Sequence, residues 1–128
     1  MPRKEVIAPA NLSPAGPPLS PGIKVGNMVY VSGQVGRHPA TGQMGNDVRE
    51  QTRNSLERIK AILEAAGTSL DNVVSATCWL VNQSDFAAFN EEYAKYFPAN
   101  RPARATVQAG LMGANALVEI MVTASIPD

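Results

Sequence analysis

The sequence predicts an α+β fold, a mixed sheet with two helices packed on one of its faces. Three observations carry that expectation. Stretches at 23–25, 28–34, 73–81, 103–109 and 116–126 have the alternation or β-branched bias of strands. Two runs carry apolar residues at every third or fourth position, as amphipathic helices do. The resulting order, β–β–α–β–α–β–β with a short strand near the start, contains two β–α–β crossovers, whose right-handedness places both helices together. A flavodoxin-like fold is the main competitor, but it needs more strand–helix units than this chain supplies.

Taken in order, a short strand is expected near Glu5–Ala8, followed by an irregular arm over 9–22. Pro9, Pro14, Pro17, Pro18 and Pro21 fall in that arm, and their fixed φ and missing N–H groups exclude an internal helix or a central strand. Leu19 and Ile23 favour an arm packed against the body over a floppy tail. Gly26-Asn27 separates the strands 23–25 and 28–34. The second, MVYVSGQ, sets Met28, Tyr30, Ser32 and Gln34 on one face and Val29, Val31, Gly33 and Val35 on the other. A loop at 37–46 leads to a helix capped by Asp47, with Glu50 as its reciprocal partner. Val48, Thr52, Leu56, Ile59 and Leu63 form the apolar stripe, and Gly67 stops the helix.

In the strand 73–81, Val74, Ala76, Cys78 and Leu80 share a face opposite Ser75, Thr77, Trp79 and Val81. Ser84 is expected to cap the second helix, whose stripe is Phe86, Phe89 and Tyr93, and Pro98 and Pro102 end it. The strands 103–109 and 116–126 close the order, separated by GLMGAN. No repeat or second domain is visible, so residues 1–128 read as one domain.

Composition narrows the function classes. Of 128 residues, 45% are hydrophobic, enough for a core. Lys plus Arg and Asp plus Glu each total 11, so nothing global draws nucleic acid to the chain. Cys78 is the single cysteine, which excludes an internal disulfide and the framework of a small secreted module. The opening residues lack an apolar leader core and no later stretch approaches a membrane span, making the cytoplasm the default expectation. His38 has no nearby ligand pattern, and no Gly-rich nucleotide loop occurs, so neither a metal nor a nucleotide cofactor has a warrant.

The last strand carries the functional signal. Val118, Ile120, Val122, Ala124 and Ile126 suit a helix-covered core, opposite Leu117, Glu119, Met121, Thr123 and Ser125. Strand 103–109 divides the same way, with Ala103, Ala105, Val107 and Ala109 on one side and Arg104, Thr106 and Gln108 on the other. A second face holding Met28, Tyr30, Trp79 and Leu117 beside hydroxyls, Arg104 and Glu119 is too apolar for open solvent and too polar for a dry core. A homo-oligomer interface with a pocket in it satisfies both descriptions; a monomer with a partly wet face is the alternative. Arg104 offers a fork for a carboxylate and Glu119 a group to orient or deprotonate water, although a structural ion pair explains the same two residues. Ser32 and Thr106 are candidate ligand donors or ordinary sheet residues, and Asn90 faces a cleft or solvent. Cys78, on the core row, reads as an inert thiol.

Several segments resemble the RidA/YjgF family: GNMVYVSGQ at 26–34, QTRNSLERIKAILEAAG at 51–67, PARATVQAG at 102–110 and ALVEI at 116–120. The similarity spans nearly the whole chain and is weakest in the arm. It implies a chorismate-mutase-like α+β fold of the bacillus type, a homotrimer with sites between subunits, and cofactor-free hydrolysis of 2-aminoacrylate and related enamines and imines to 2-oxo acids and ammonia. Small-molecule substrates and further copies of the chain are the implied partners. By resemblance, Arg104 matches the carboxylate clamp and Glu119 the water-positioning carboxylate, while Ser32, Asn90 and Thr106 match pocket-lining positions. Thr106 stands where the family often has Cys, which argues against a nucleophilic thiol there. Gly16-Pro17-Pro18 replaces a GPY sequence, so the pocket tyrosine is missing. PLSPG at 18–22 and QAGL at 108–111 look like the RutC-type aminoacrylate branch. A 2-aminomuconate-like substrate, a non-catalytic carboxylate-binding role, the RNA-associated or translation-inhibitory role attached to some relatives, and a structural interaction role are the remaining readings.

Overall fold

A computed structural model describes residues 3–14 and 16–128. Strands β1 (Glu5–Ile7), β2 (Gly22–Val25) and β3 (Met28–Val35) precede helix α1 (Val48–Ala65). Strand β4 (Val73–Leu80), helix α2 (Phe86–Tyr96), β5 (Ala103–Gln108) and β6 (Val118–Ser125) follow. One six-stranded mixed sheet runs β1-β2-β3-β6-β4-β5, parallel only between β4 and β5. The parallel pair is the one joined by a helical crossover, and it puts β5 on the sheet edge.

Both helices cover one face. The α1 stripe of Val48, Thr52, Leu56, Ile59 and Leu63 is buried against Val29, Val31, Val118, Ile120 and Val122, and Phe89 and Tyr93 of α2 extend that core over β4. Asp47 caps α1 as expected, with the Glu50 N–H donating to its Oδ1 at 2.8 Å. Past the C-terminus, Gly67 at φ +90° lets the Gly67 and Thr68 N–H groups turn back to Glu64 O and Leu63 O. Ser84 does not cap α2. A 3-10 turn over Gln83–Asp85 runs straight into the helix, whose N-cap position is Asp85 with no side-chain bond.

Polar residues of α1 hold the connections. Gln51, 1% exposed, donates through Nε2 to Gly45 O and Asn115 O, both at 3.0 Å, and its Oε1 accepts from the Leu117 N–H at 2.8 Å. Arg58 reaches the Pro-rich arm, donating to Ser13 Oγ at 2.8 Å and Ser13 O at 3.0 Å. Ala15, inside the expected arm, lies outside the described residues.

Three expected face assignments change. The β3–β6 register shifts between Val31 and Gln34, so a bulge at Ser32-Gly33 turns Gln34 inward, 7% exposed, and leaves Val35 outside opposite Glu119. A second shift between Val73 and Ser75 sends Val73 into the core and exposes Val74. On β5 the division holds but its sense is reversed. Arg104 pairs with Ala76 and Thr106 with Cys78, both core-facing, so Arg104, Thr106 and Gln108 lie on the helix side, and Ala103, Ala105 and Val107 face outward. At an edge strand that the helices flank without covering, a polar row fits the helix side. Small apolar groups there can line an open sheet face.

That open face crosses the whole sheet. On it lie Val6, Ile23 and Tyr30, paired in register and continued by Thr123, with Met121 and the paired Trp79 and Val107 farther along the same face. Tyr30 and Val107 remain 48% and 46% exposed, so a large apolar surface stands unpartnered in the isolated chain.

Candidate functional site

The five expected site residues fall into two groups on opposite faces of the sheet. Arg104 and Thr106 stand on the helix side at the β5 edge, with Asn90 half-buried on the neighbouring α2. Glu119 stands on the open face, between Val35 of β3 and Trp79 of β4. The expectation that Arg104 and Glu119 share one face of a single chain is therefore wrong. Neither takes part in an ion pair among the described residues, so the structural-pair reading falls with it.

On the helix side, the α2 stripe explains the placement of Arg104. Its guanidinium carbon lies 4.7 Å from the Tyr93 ring centroid, 5.3 Å from Phe89 and 6.0 Å from Phe86. Three ring faces hold the cation electrostatically and leave its N–H fork without a carboxylate partner. Phe86 is also one wall of a 260 Å³ cavity that Leu80, Gln83, Thr106 and Gln108 help to line. Thr106 Oγ1 is buried there beside the Cys78 thiol, with no oxygen or nitrogen hydrogen-bond partner among the described residues. A buried hydroxyl without a partner carries a desolvation cost that a polar ligand atom would relieve.

The nearby thiol supplies no nucleophile. Cys78 is fully buried, and burial pushes it up to about 12, with the Arg104 charge opposing more weakly. Burial likewise raises the Tyr93 hydroxyl to about 12. Both stay protonated at neutral pH.

On the open face, Glu119 is half-buried, and burial raises its carboxyl above the usual carboxylate range. Its carboxylate lies directly over Gly33, where an added methyl group would collide with Oε2. A partly desolvated carboxylate with no hydrogen-bond donor among the described residues can hold and deprotonate a water. Ser32, beside Gly33 in the bulge, donates through Oγ to Ser20 O at 2.6 Å and through its N–H to Pro21 O at 2.9 Å. It ties the end of the arm to the strand, and its hydroxyl proton is already committed.

His38 is a turn residue, with Nδ1 accepting the Ala40 and Thr41 N–H groups. No cluster of three or more metal-ligating side chains occurs among the described residues, and no described helix is long and apolar enough to cross a membrane. Reading by alternation missed Gly33, Gln34 and Arg58, because the bulge that assembles them breaks the period. The aromatic cradle of Arg104 was visible as a stripe at Phe86, Phe89 and Tyr93, but its target was not.

Comparison with known proteins places this geometry. The family described as Endoribonuclease L-PSP matches residues 10–126. A RutC family protein of Pyrococcus horikoshii is 44% identical over 91% of this chain and 94% of its own length. The 3-aminoacrylate deaminase RutC of Acinetobacter baylyi is 42% identical over 96% of this chain and 98% of its own. Among solved structures, RidA from an Antarctic Psychrobacter superposes with a TM-score of 0.91 at 38% identity, covering 95% of this chain and 99% of that one.

Proposed function

Because this chain belongs to the RidA/YjgF family, we propose that it hydrolyses small enamine and imine carboxylic acids of the 2-aminoacrylate type to 2-oxo acids and ammonia. One observation carries the reading. Arg104 with a Thr106 hydroxyl that has only the Cys78 thiol beside it, and a half-buried Glu119, form two incomplete half-sites on opposite faces of one sheet. Packing one copy's open apolar face near another copy's β5 edge completes both. The homotrimer and chorismate-mutase-like assembly implied by the resemblance supply such a seam, and the uncovered Tyr30–Val107 face gives it a driving force.

In this mechanism the enamine first tautomerises to the imine. The Arg104 fork binds the substrate carboxylate, with Asn90 and Thr106 fixing the bound molecule against the cradle. Glu119 of the adjacent copy orients a water and accepts its proton as oxygen attacks the imine carbon. That proton passes to nitrogen to give the carbinolamine; the hydroxyl proton then passes to the same nitrogen as the C–N bond breaks and the C=O bond forms, so ammonia leaves and the oxo acid remains. Water, substrate and proton are held together in one orientation, which lowers the barrier without a covalent intermediate or a cofactor. Ser32 ties the end of the arm to β3, and exposed Pro18 has no hydroxyl to offer in place of the pocket tyrosine that the resemblance implies.

The family description names an endoribonuclease, and nucleic acid is the main competing partner. A chain with 11 basic and 11 acidic residues has no net attraction for phosphate, so the deaminase reading is favoured. The test is ammonia release above the spontaneous rate from 2-aminoacrylate, 3-aminoacrylate and 2-aminomuconate generated in parallel. Acceleration on at least one supports the proposal. Acceleration on none, with saturable binding of a small carboxylate, turns it into a non-catalytic binding site.

A further inference from the structure

Behind the open face, a buried polar chain ends beneath the Glu119 carboxylate. Arg58 of α1, 7% exposed, donates from Nε to Gln34 Oε1 at 2.9 Å. The same Gln34 amide donates from Nε2 to Ser32 O at 3.0 Å, bridging Gly33 from one side to the other. Ser55 Oγ holds the Gln34 carbonyl at 3.0 Å. Ser32 N–H and Oγ fix the other strand edge to Pro21 O and Ser20 O. The bulge at Ser32-Gly33 is thus pinned from the core by Gln34 and from the arm by Ser20 and Pro21. At its apex Gly33 presents bare backbone, and the Glu119 carboxylate occupies the space a side chain would fill, with Cδ and Cγ at 3.0 and 3.2 Å from an added methyl carbon.

We infer that Gly33 and Gln34, braced by Arg58, form a positioning device that seats the Glu119 carboxylate for attack by its water. This rests on the catalytic reading of Glu119 and deepens it. Two features set it apart from ordinary packing. Glycine in a strand marks a bulge or a close approach to the backbone; Gly33 is not among the positive-φ glycines, so the bulge does not demand it through φ, and the closely approaching group is the proposed base. Gln34 also commits both ends of a buried amide, Nε2 to the bulge carbonyl of Ser32 and Oε1 to Arg58, and the guanidinium behind it has no acid partner among the described residues. That buried arginine is braced by neutral acceptors alone, an arrangement suited to rigidity. A misplacement of the base by an ångström costs about a hundredfold in rate where attack geometry controls the barrier.

The test uses the full chain and ammonia release from 2-aminoacrylate, with Gly33→Ala, Gln34→Glu, Glu119→Gln and each of the first two combined with Glu119→Gln. Gln34→Glu keeps an acceptor for Arg58 but replaces the donor to Ser32 O by an oxygen that repels it, with its charge compensated by the Arg58 guanidinium, so it remains informative if Gly33→Ala fails to fold. The expected result is a kcat lowered by about ten- to a hundredfold in either single variant, with KM within about twofold because the Arg104 clamp is untouched. On the Glu119→Gln background neither change should lower kcat further, since both act through that carboxylate. Wild-type kcat in Gln34→Glu, or an undiminished effect of either substitution without the carboxylate, overturns the inference and leaves the catalytic role of Glu119 standing. Full activity of Glu119→Gln alone instead overturns the catalytic reading, and the positioning role with it.

Discussion

Replacing Arg104 by alanine should separate activity from stability. Arg104 is exposed at a sheet edge, and its guanidinium packs on three aromatic ring faces at 4.7–6.0 Å. Losing cation–π contacts at an exposed site costs about 0.5–1 kcal/mol, and no buried carboxylate is left uncompensated. The melting temperature should therefore fall by only a few degrees, and assembly should persist. In the proposed pocket between copies the same group would face the substrate carboxylate, where losing one partner of a desolvated charged pair costs about 2–5 kcal/mol. At about 1.36 kcal/mol per decade, kcat/KM should fall by about thirtyfold to several thousandfold. Arg104→Lys keeps the charge without the planar fork and should fall between the two. Steady-state ammonia release, paired with thermal melts and sizing of the same samples, reads both quantities. A variant that retains kcat/KM within about twofold refutes the clamp assignment, as does one that loses activity only because it unfolds or dissociates.

Further outcomes follow from the same geometry. A carboxyl raised by burial binds its proton more tightly folded than unfolded, so Glu119 should make stability decline as pH rises from the unfolded to the folded value. Glu119→Gln should abolish that decline in pH-dependent melts and remove the acid limb of kcat/KM, which wild type should show above the usual carboxylate range. Gln51→Leu strips the partners from Gly45 O, Asn115 O and the Leu117 N–H, and should destabilise the fold by about 2–4 kcal/mol in denaturant titrations. Tyr30→Glu sets a charge in the middle of the open face and should drive the assembly to monomers by sedimentation, with loss of activity.

Much of the fold was legible because local rules and tertiary packing agree. The α1 stripe, the Asp47 cap and the Gly67 stop each need only neighbouring residues to be read. The bulges at Ser32-Gly33 and Val73–Ser75 were not legible, since one extra residue opposite a partner strand leaves the composition unchanged while flipping every later side chain. The face of β5 was misread for another reason. Alternation shows that Arg104 and Thr106 share a side, but which side meets the helices depends on the parallel register with β4. The residues expected to form the site are present, but a single chain does not bring them together. Gln51 and Arg58 escaped notice because buried polar groups on a helix look solvent-facing until their loop partners are in place.

Mixing two impaired variants tests the composite site most directly. Arg104→Ala and Glu119→Gln chains, unfolded and refolded together in equal amounts, should regain about one quarter of wild-type ammonia release, because in a closed ring about one seam in four pairs an intact Arg104 with an intact Glu119. Activity that stays at the level of the separately refolded variants, in mixtures shown to contain both chains in one assembly, would contradict a site shared between copies.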